Sequence, residues 1–171
     1  MSAPPGIVPF HVGIAVHDID EVIERYKRLF GIEHWHVLDG ADAKRAYGGY
    51  EGRGQAFELM QPHTTDSEIG RFLEAHGEGV QHIGFWAPDL RAALQQAVDG
   101  GAKILPGAFE TQNGVVIEAE APPGAARPFR LAFVDSGAGS MRWEIIGAPS
   151  DVGLRNWLRD DYDVIIKPPP W

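Results

Sequence analysis

An internal repeat constrains the fold of this chain more than any other feature of its sequence. The segment FHVGIA at residues 10–15 is similar to QHIGFW at residues 81–86. Each segment places a histidine before a hydrophobic residue and a glycine, and an aspartate that can cap a helix follows soon after. A repeated strand-and-helix start predicts a chain built from two equivalent modules.

Hydrophobic periodicity predicts the same order of elements in both modules. The first module is predicted to have a helix over 19–30, which ends at Gly31, and strands at 8–16, 33–38, 43–50 and 55–61. The second is predicted to have a helix over 90–99 and strands at 79–87, 102–105, 114–120, 129–135 and 141–147.

We therefore predict one domain over residues 8–147, formed by a first module, a linker and a second module (8–62, 63–79 and 80–147). A capped helix within 66–77 is predicted in the linker, and a long loop over 119–128 in the second module. Residues 148–171 are predicted as a C-terminal tail with a short helix over 149–158 and an extended proline-rich end.

Composition excludes several classes of function. Of 171 residues, 44% are hydrophobic, which is enough for a packed core. The formal net charge of −9 disfavours binding to nucleic acid or to an anionic membrane, because both need a basic surface. The chain has no cysteine, and its sequence leads us to expect neither a signal peptide nor a membrane-spanning segment. We expect a cytoplasmic protein that acts on a small molecule.

Four residues at equivalent places in the two modules form a candidate metal site. His11 and His82 lie on the opening strands, and Glu58 and Glu144 lie in the closing strand segments FELM and WEII. A lone strand histidine is more often structural, and a lone strand acid often faces solvent. Their repeated placement favours a shared role, because a carboxylate that faces a core without a partner is costly.

Two modules that pair about a pseudo-twofold axis would bring these four side chains into one concave space. Two imidazoles and two carboxylates suit one divalent ion, with Zn, Ni, Co, Mn and Fe(II) all open. The other five histidines have no equivalent in the second module, so we expect them at the surface or behind the ligands; they are His17, His34, His36, His63 and His76.

Aromatic residues are frequent near the predicted cleft. Strand alternation places most of them in the core. A few are candidates to line a substrate pocket, namely Trp35, Tyr47, Tyr50 and Trp143.

The segments FHVGIA, QHIGFW, FELM and WEII resemble those of the vicinal oxygen chelate superfamily, which includes glyoxalases, bleomycin-resistance proteins, epimerases and extradiol dioxygenases. The resemblance covers about residues 8–147, and the segment DSEIGRFLEAHGEGVQHIGF is most similar to the methylmalonyl-CoA epimerase branch. It implies an α+β fold of two paired βαβββ modules, whose curved sheets surround a metal cleft. A homodimer is the expected assembly.

The resemblance also implies a ligand set and a reaction. The family's metal ligands match His11, Glu58, His82 and Glu144, and Glu144 or Glu58 would be the general base. The implied reaction is that of an isomerase, an epimerase or a glyoxalase-like lyase, in which a C–H next to a carbonyl loses its proton. An Fe(II) extradiol-type dioxygenase and a bleomycin-resistance-like binding protein are the alternatives.

Two features of the sequence depart from the epimerase branch. Those enzymes use a glutamate just before the third strand, and the nearest acids in this chain are Asp39 and Asp42. The chain also has no basic cluster that would bind the phosphates of coenzyme A.

Overall fold

A computed structural model describes residues 7–50, 54–119, 131–137 and 141–147. These residues form a mixed α+β fold with ten strands and three helices. The helices are α1 (Ile19–Phe30), α2 (Glu68–His76) and α3 (Leu90–Asp99). The strands are β1 (Val8–Ala15), β2 (His34–Asp39), β3 (Ala43–Tyr50), β4 (Gly54–Pro62), β5 (Gly79–Ala87), β6 (Lys103–Ile104), β7 (Phe109–Gln112), β8 (Val115–Glu118), β9 (Leu131–Asp135) and β10 (Arg142–Gly147). The predicted α+β class is confirmed. The predicted tail at 148–171 and nearly all of the predicted loop at 119–128 lie outside the described residues.

The described part of the chain divides into two compact units. Residues 10–82 form what we call the N-terminal unit, and residues 83–147 form the C-terminal unit. The boundary falls within β5, directly after His82. The module limits that the sequence indicates stay a prediction.

The N-terminal unit contains a sheet with the strand order β2-β3-β4-β1. β4 lies between β3, to which it is antiparallel, and β1, to which it is parallel. A residue in the middle of β4 therefore has a cross-strand partner on each side. Glu58 is such a residue, since it pairs with Tyr47 of β3 and with Gly13 of β1. The side chain of Asp18 caps α1 by accepting a hydrogen bond from the Glu21 amide, and Gly31 ends the helix in the left-handed conformation.

Side chains of the N-terminal sheet alternate between two cores. Leu59 packs with α1 residues such as Ile19, whereas its neighbour Met60 packs with α2 residues such as Ile69. Because strand residues alternate between faces, Glu58 lies on the same face as Met60 and opposite to α1. The apolar residues on either side of Glu58 therefore fix the direction in which this acid points.

The C-terminal unit contains the strand order β10-β9-β6, and α3 packs against it. A separate hairpin, β7–β8, turns at Asn113 and Gly114, which have φ angles of 50° and 80°. Positive φ at both turn residues is the signature of a type I′ turn. The side-chain amide of Gln95 on α3 holds this hairpin, as it accepts from the Val116 amide and donates to the Gly114 carbonyl.

The strand β7, and with it this hairpin, was not predicted from the sequence. The Asn-Gly pair was the available signal. In the described part of the chain, no helix is both long and apolar enough to cross a membrane.

Candidate metal centre

Three of the four predicted ligands meet in the N-terminal unit and form what we call the His–Glu–His cluster. His11 Nε2 lies 3.0 Å from His82 Nε2. Glu58 Oε2 lies 3.2 Å from the first of these nitrogens and 3.4 Å from the second. All three side chains are buried, with His82 only 1% exposed. Three potential ligand atoms therefore lie together in one small, buried region.

The backbone of β1 makes this cluster possible. Gly13 lies directly beside Glu58 in the parallel β1–β4 pair. A Cβ atom at position 13 would overlap the imidazole ring of His82. The ring thus occupies the space that a side chain would fill, which gives a physical reason for the glycine in the HVG segment.

Charged neighbours stabilise the buried carboxylate of Glu58. Burial raises the pKa of this carboxyl, but hydrogen bonds and Coulombic attraction from His11 and His82 outweigh the burial and hold the pKa well below its usual range. On the other side, Arg45 Nε lies 3.5 Å from Glu58 Oε1. Glu58 is therefore an anion with a different partner at each oxygen.

Gln81, which was not among the predicted site residues, supports His82. Its side chain is 4% exposed, and its Oε1 lies 2.6 Å from His82 Nδ1. Since the amide oxygen can only accept, this contact places a proton on Nδ1 of His82 and leaves Nε2 as the nitrogen that faces Glu58 and His11. This is the arrangement in which a histidine binds a metal through Nε2.

The His–Glu–His cluster fits a divalent metal ion. Donor atoms bound at about 2.0–2.2 Å to adjacent positions of one tetrahedral or octahedral ion lie about 2.8–3.6 Å from one another. The three donor–donor distances, 3.0, 3.2 and 3.4 Å, are all within that range. Two imidazoles and a carboxylate are also donors that suit zinc and the neighbouring transition metals.

The fourth predicted ligand, Glu144, lies in the C-terminal unit. It is buried on β10, where it pairs with Phe133 of β9. Ile145 and Ile146, which follow it, are also buried. The structure thus places an acid inside an apolar strand, as the sequence predicts, and its role as a ligand stays a prediction.

The four aromatic residues predicted to line a pocket have different positions. Tyr47 is the cross-strand partner of Glu58 and is half-buried on the same face. Trp35 is on the α1 side, where its ring covers Gly48 and its indole donates to the Ile32 carbonyl at 2.8 Å.

The other two aromatic positions are on β3 and β10. Trp143 stacks on Phe85 within the C-terminal unit, with ring centroids 4.9 Å apart. Tyr50 is the last residue of β3, and its side chain lies outside the described part of the structure. Contact of any of these four residues with substrate stays a prediction.

The two acids considered as replacements for the epimerase glutamate have other partners. Both oxygens of Asp42 accept from Arg45, at 2.9 and 2.8 Å, and this contact lowers the pKa of Asp42. Asp39 Oδ1 lies 3.0 Å from His63 Nε2 at the surface. Neither of these contacts joins the acid directly to a residue of the His–Glu–His cluster.

Comparison with known proteins identifies similar sequences. The family model of the Glyoxalase/Bleomycin resistance protein/Dioxygenase superfamily matches residues 10–119. The uncharacterised protein YqjC of Bacillus subtilis is 30% identical over 128 residues, which are 67% of this chain and 91% of that protein. An ethylmalonyl-CoA/methylmalonyl-CoA epimerase of Cereibacter sphaeroides is 29% identical over 96 residues, which are 56% of this chain and 72% of the epimerase.

The fold of this chain is similar to that of solved structures. The crystal structure of methylmalonyl-CoA epimerase from Mycobacterium tuberculosis aligns with a TM-score of 0.64 and 24% identity. The alignment covers 89% of this chain and 95% of the epimerase. At 24% identity, this similarity shows that the two proteins share a fold and shows nothing more about this chain.

Proposed function

Since the chain belongs to the glyoxalase/bleomycin resistance protein/dioxygenase superfamily, we propose that it is a divalent-metal-dependent epimerase or isomerase. In the proposed reaction, a carbon next to a carbonyl group loses a proton and regains one. The observation that carries this proposal is the buried His–Glu–His cluster, whose donor atoms lie 3.0–3.4 Å apart. The epimerase of Cereibacter sphaeroides, as a relative in sequence, supports the choice of reaction.

We propose four metal ligands. His11, Glu58 and His82 are the three that the N-terminal unit brings together. Glu144 is proposed as the fourth because it is a buried acid at the repeat-equivalent position of Glu58. A divalent ion would supply Lewis acidity, which favours negative charge on the carbonyl oxygen of the substrate.

The two glutamates are assigned different roles. Each oxygen of Glu58 already has a charged or hydrogen-bonding side chain within 3.5 Å, so we assign Glu58 to ligand binding. Glu144 is then the proposed general base as well as the fourth ligand, and its carboxylate would leave the ion to act as the base. Its carboxylate would accept the proton from carbon, while the electron pair of the C–H bond forms a carbon–carbon double bond and the π pair of the carbonyl group moves to its oxygen. Return of a proton to carbon restores the carbonyl.

The proposed substrate is a small acid derivative with an acidic C–H next to a carbonyl. An acyl-CoA thioester is the first class to test, because the relative from Cereibacter sphaeroides is named for such substrates. Most basic side chains of the described residues have an acidic partner, for example Arg25, Lys27 and Lys44. For this reason free 2-substituted acids and ketones belong in the same screen.

Hydrogen exchange with solvent tests the proposed reaction. The protein is loaded with Co(II) or Mn(II) in D₂O and incubated with methylmalonyl-CoA, and the C2 proton is followed by NMR. We expect loss of the C2 proton signal with the wild-type protein and at least a hundredfold slower loss with Glu144→Gln, as is typical for removal of a general base. Exchange at equal rates in both proteins would contradict the role of Glu144, and absence of exchange with every compound of the screen would contradict the proposed reaction.

A further inference from the structure

Arg45 lies between an exposed acid and the His–Glu–His cluster. Its two terminal nitrogens donate to the two oxygens of Asp42 at 2.9 and 2.8 Å. Nη1 also lies 3.4 Å from the Ala43 carbonyl. The remaining nitrogen, Nε, lies 3.5 Å from Glu58 Oε1. All three nitrogens of the guanidinium group therefore have partners, and only one of those partners belongs to the cluster.

The two oxygens of Glu58 have separate environments. Oε2 is the oxygen within 3.4 Å of both histidine nitrogens. Oε1 is the oxygen next to Arg45. A carboxylate without such a contact can rotate and bind a metal through either oxygen or through both.

We propose that Arg45 is a positioning residue, which holds Glu58 so that Oε2 alone is presented to the metal. This inference rests on the proposed metal site. Asp42 orients the guanidinium by a bidentate contact, and the planar group then directs Nε toward Glu58. The position of the ligand oxygen is therefore fixed before an ion binds.

Lysine could not replace arginine in this role. Its ammonium group is a single point, whereas the guanidinium presents donors at fixed angles to two acids at once. A lysine at position 45 would keep the charge and lose the simultaneous contact with Asp42 and Glu58. Charge and orientation can thus be separated by substitution.

The proposed restraint also predicts metal preference. Calcium favours six to eight oxygen ligands and often takes both oxygens of a carboxylate. Zinc and cobalt accept fewer ligands and bind imidazole well. With Oε1 held by Arg45, the site should discriminate strongly against calcium.

A charge-neutral double variant tests the inference. Arg45→Gln combined with Asp42→Asn removes one positive and one negative charge, so the net charge near the cluster does not change. The matched control is Lys44→Gln combined with Asp20→Asn, which removes a neighbouring ion pair of 2.8 Å between β3 and α1. Arg45→Lys is the third variant, since it retains the positive charge.

Each metal-free protein is titrated with Co(II), with and without Ca(II) as competitor, and its visible ligand-field spectrum is recorded. We expect Co(II) binding to be about 10–100-fold weaker in the double variant and in Arg45→Lys, as is typical when a residue behind a ligand is lost. We also expect an altered spectrum and a smaller preference for Co(II) over Ca(II). The control should match the wild-type protein.

Three results would overturn the inference. The first is an Arg45→Lys protein or a double variant with wild-type Co(II) affinity and spectrum. The second is an equal loss of affinity in the Lys44–Asp20 control, which would indicate a general electrostatic effect. The third is a wild-type protein that binds no Co(II), which would overturn the proposed metal site as well. Urea unfolding of the metal-free proteins identifies any variant that fails to fold. If the double variant fails to fold, the result for Arg45→Lys alone tests the inference.

Discussion

Gly13 determines whether the His82 ring can reach its place beside Glu58. The ring lies where a Cβ atom at position 13 would be, and the β1–β4 register places that glycine next to Glu58. Even a methyl group must therefore displace the ring or the strand. The residue acts through space alone, since it has no side chain that could bind a metal.

We predict that Gly13→Ala weakens metal binding by at least tenfold. A displaced His82 can no longer place its Nε2 close enough to the donor atoms of His11 and Glu58 to bind the same ion. The measurement is a Co(II) titration of the metal-free protein. Gly79→Ala is the matched control, since a Cβ atom there meets no atom within 4 Å. Equal affinities in the two variants would argue against a steric role for Gly13.

Gln81 gives a second prediction for a single residue. Replacement by leucine removes the acceptor from His82 Nδ1 and leaves a buried N–H without that bond. We expect Gln81→Leu to bind Zn(II) about 10–100-fold more weakly, because the orientation and tautomer of the ring are no longer fixed. Isothermal titration calorimetry measures the change, and an unchanged Kd would show that the backbone alone orients His82.

Among the elements, the β7–β8 hairpin depends on a helix side chain. Gln95 accepts from the Val116 amide at 2.9 Å and donates to the Gly114 carbonyl at 2.8 Å. We predict that Gln95→Ala lowers the free energy of unfolding by about 1–2 kcal/mol, since two backbone groups lose their partner. Urea unfolding measures the difference. Gln96→Ala, at an exposed position of the same helix, should change stability by less than about 0.5 kcal/mol.

Elements with strong local signals could be predicted from the sequence. The helix α1 has an N-terminal aspartate, regular apolar spacing and a terminal glycine, and it occupies Ile19–Phe30 as predicted. The strand β7 was not predicted, because FETQ has one buried and three exposed residues and no clear alternation. Only the Asn-Gly turn that follows it indicates a hairpin.

Most of the candidate site could be read from the repeat, but its supporting residues could not. His11, Glu58 and His82 are distinguished by their residue type and repeated position. The roles of Gly13 and Arg45 depend on strand register and on the direction of side chains across the sheet, which a single sequence does not specify. Gln81 is equally hidden, because a glutamine beside a histidine has no distinctive pattern.

At the level of the whole molecule, metal binding should stabilise the fold. An ion that binds only the folded chain adds about 2.7 kcal/mol to the free energy of unfolding at a free concentration of 100 times its Kd. We expect this increase in urea unfolding with Zn(II) for the wild-type protein and a much smaller one for His82→Ala. An equal increase in both proteins would indicate binding elsewhere.

The predicted homodimer is a further property of the whole molecule. Symmetric dimers are the commonest assembly of soluble oligomers. We expect a mass of about twice 18.7 kDa by light scattering coupled to size-exclusion chromatography. A mass of 18.7 kDa across a range of protein concentrations would contradict this expectation.

The most direct test of the metal centre is the stoichiometry of bound ion. Chelator-treated protein is dialysed to equilibrium against Zn(II) or Co(II), and the metal content is determined by elemental analysis. We predict one tightly bound ion per chain for the wild-type protein and far less than one for the His11→Ala/His82→Ala double variant. Absence of saturable binding, or equal metal content in the two proteins, would contradict the assignment of the His–Glu–His cluster as a metal site.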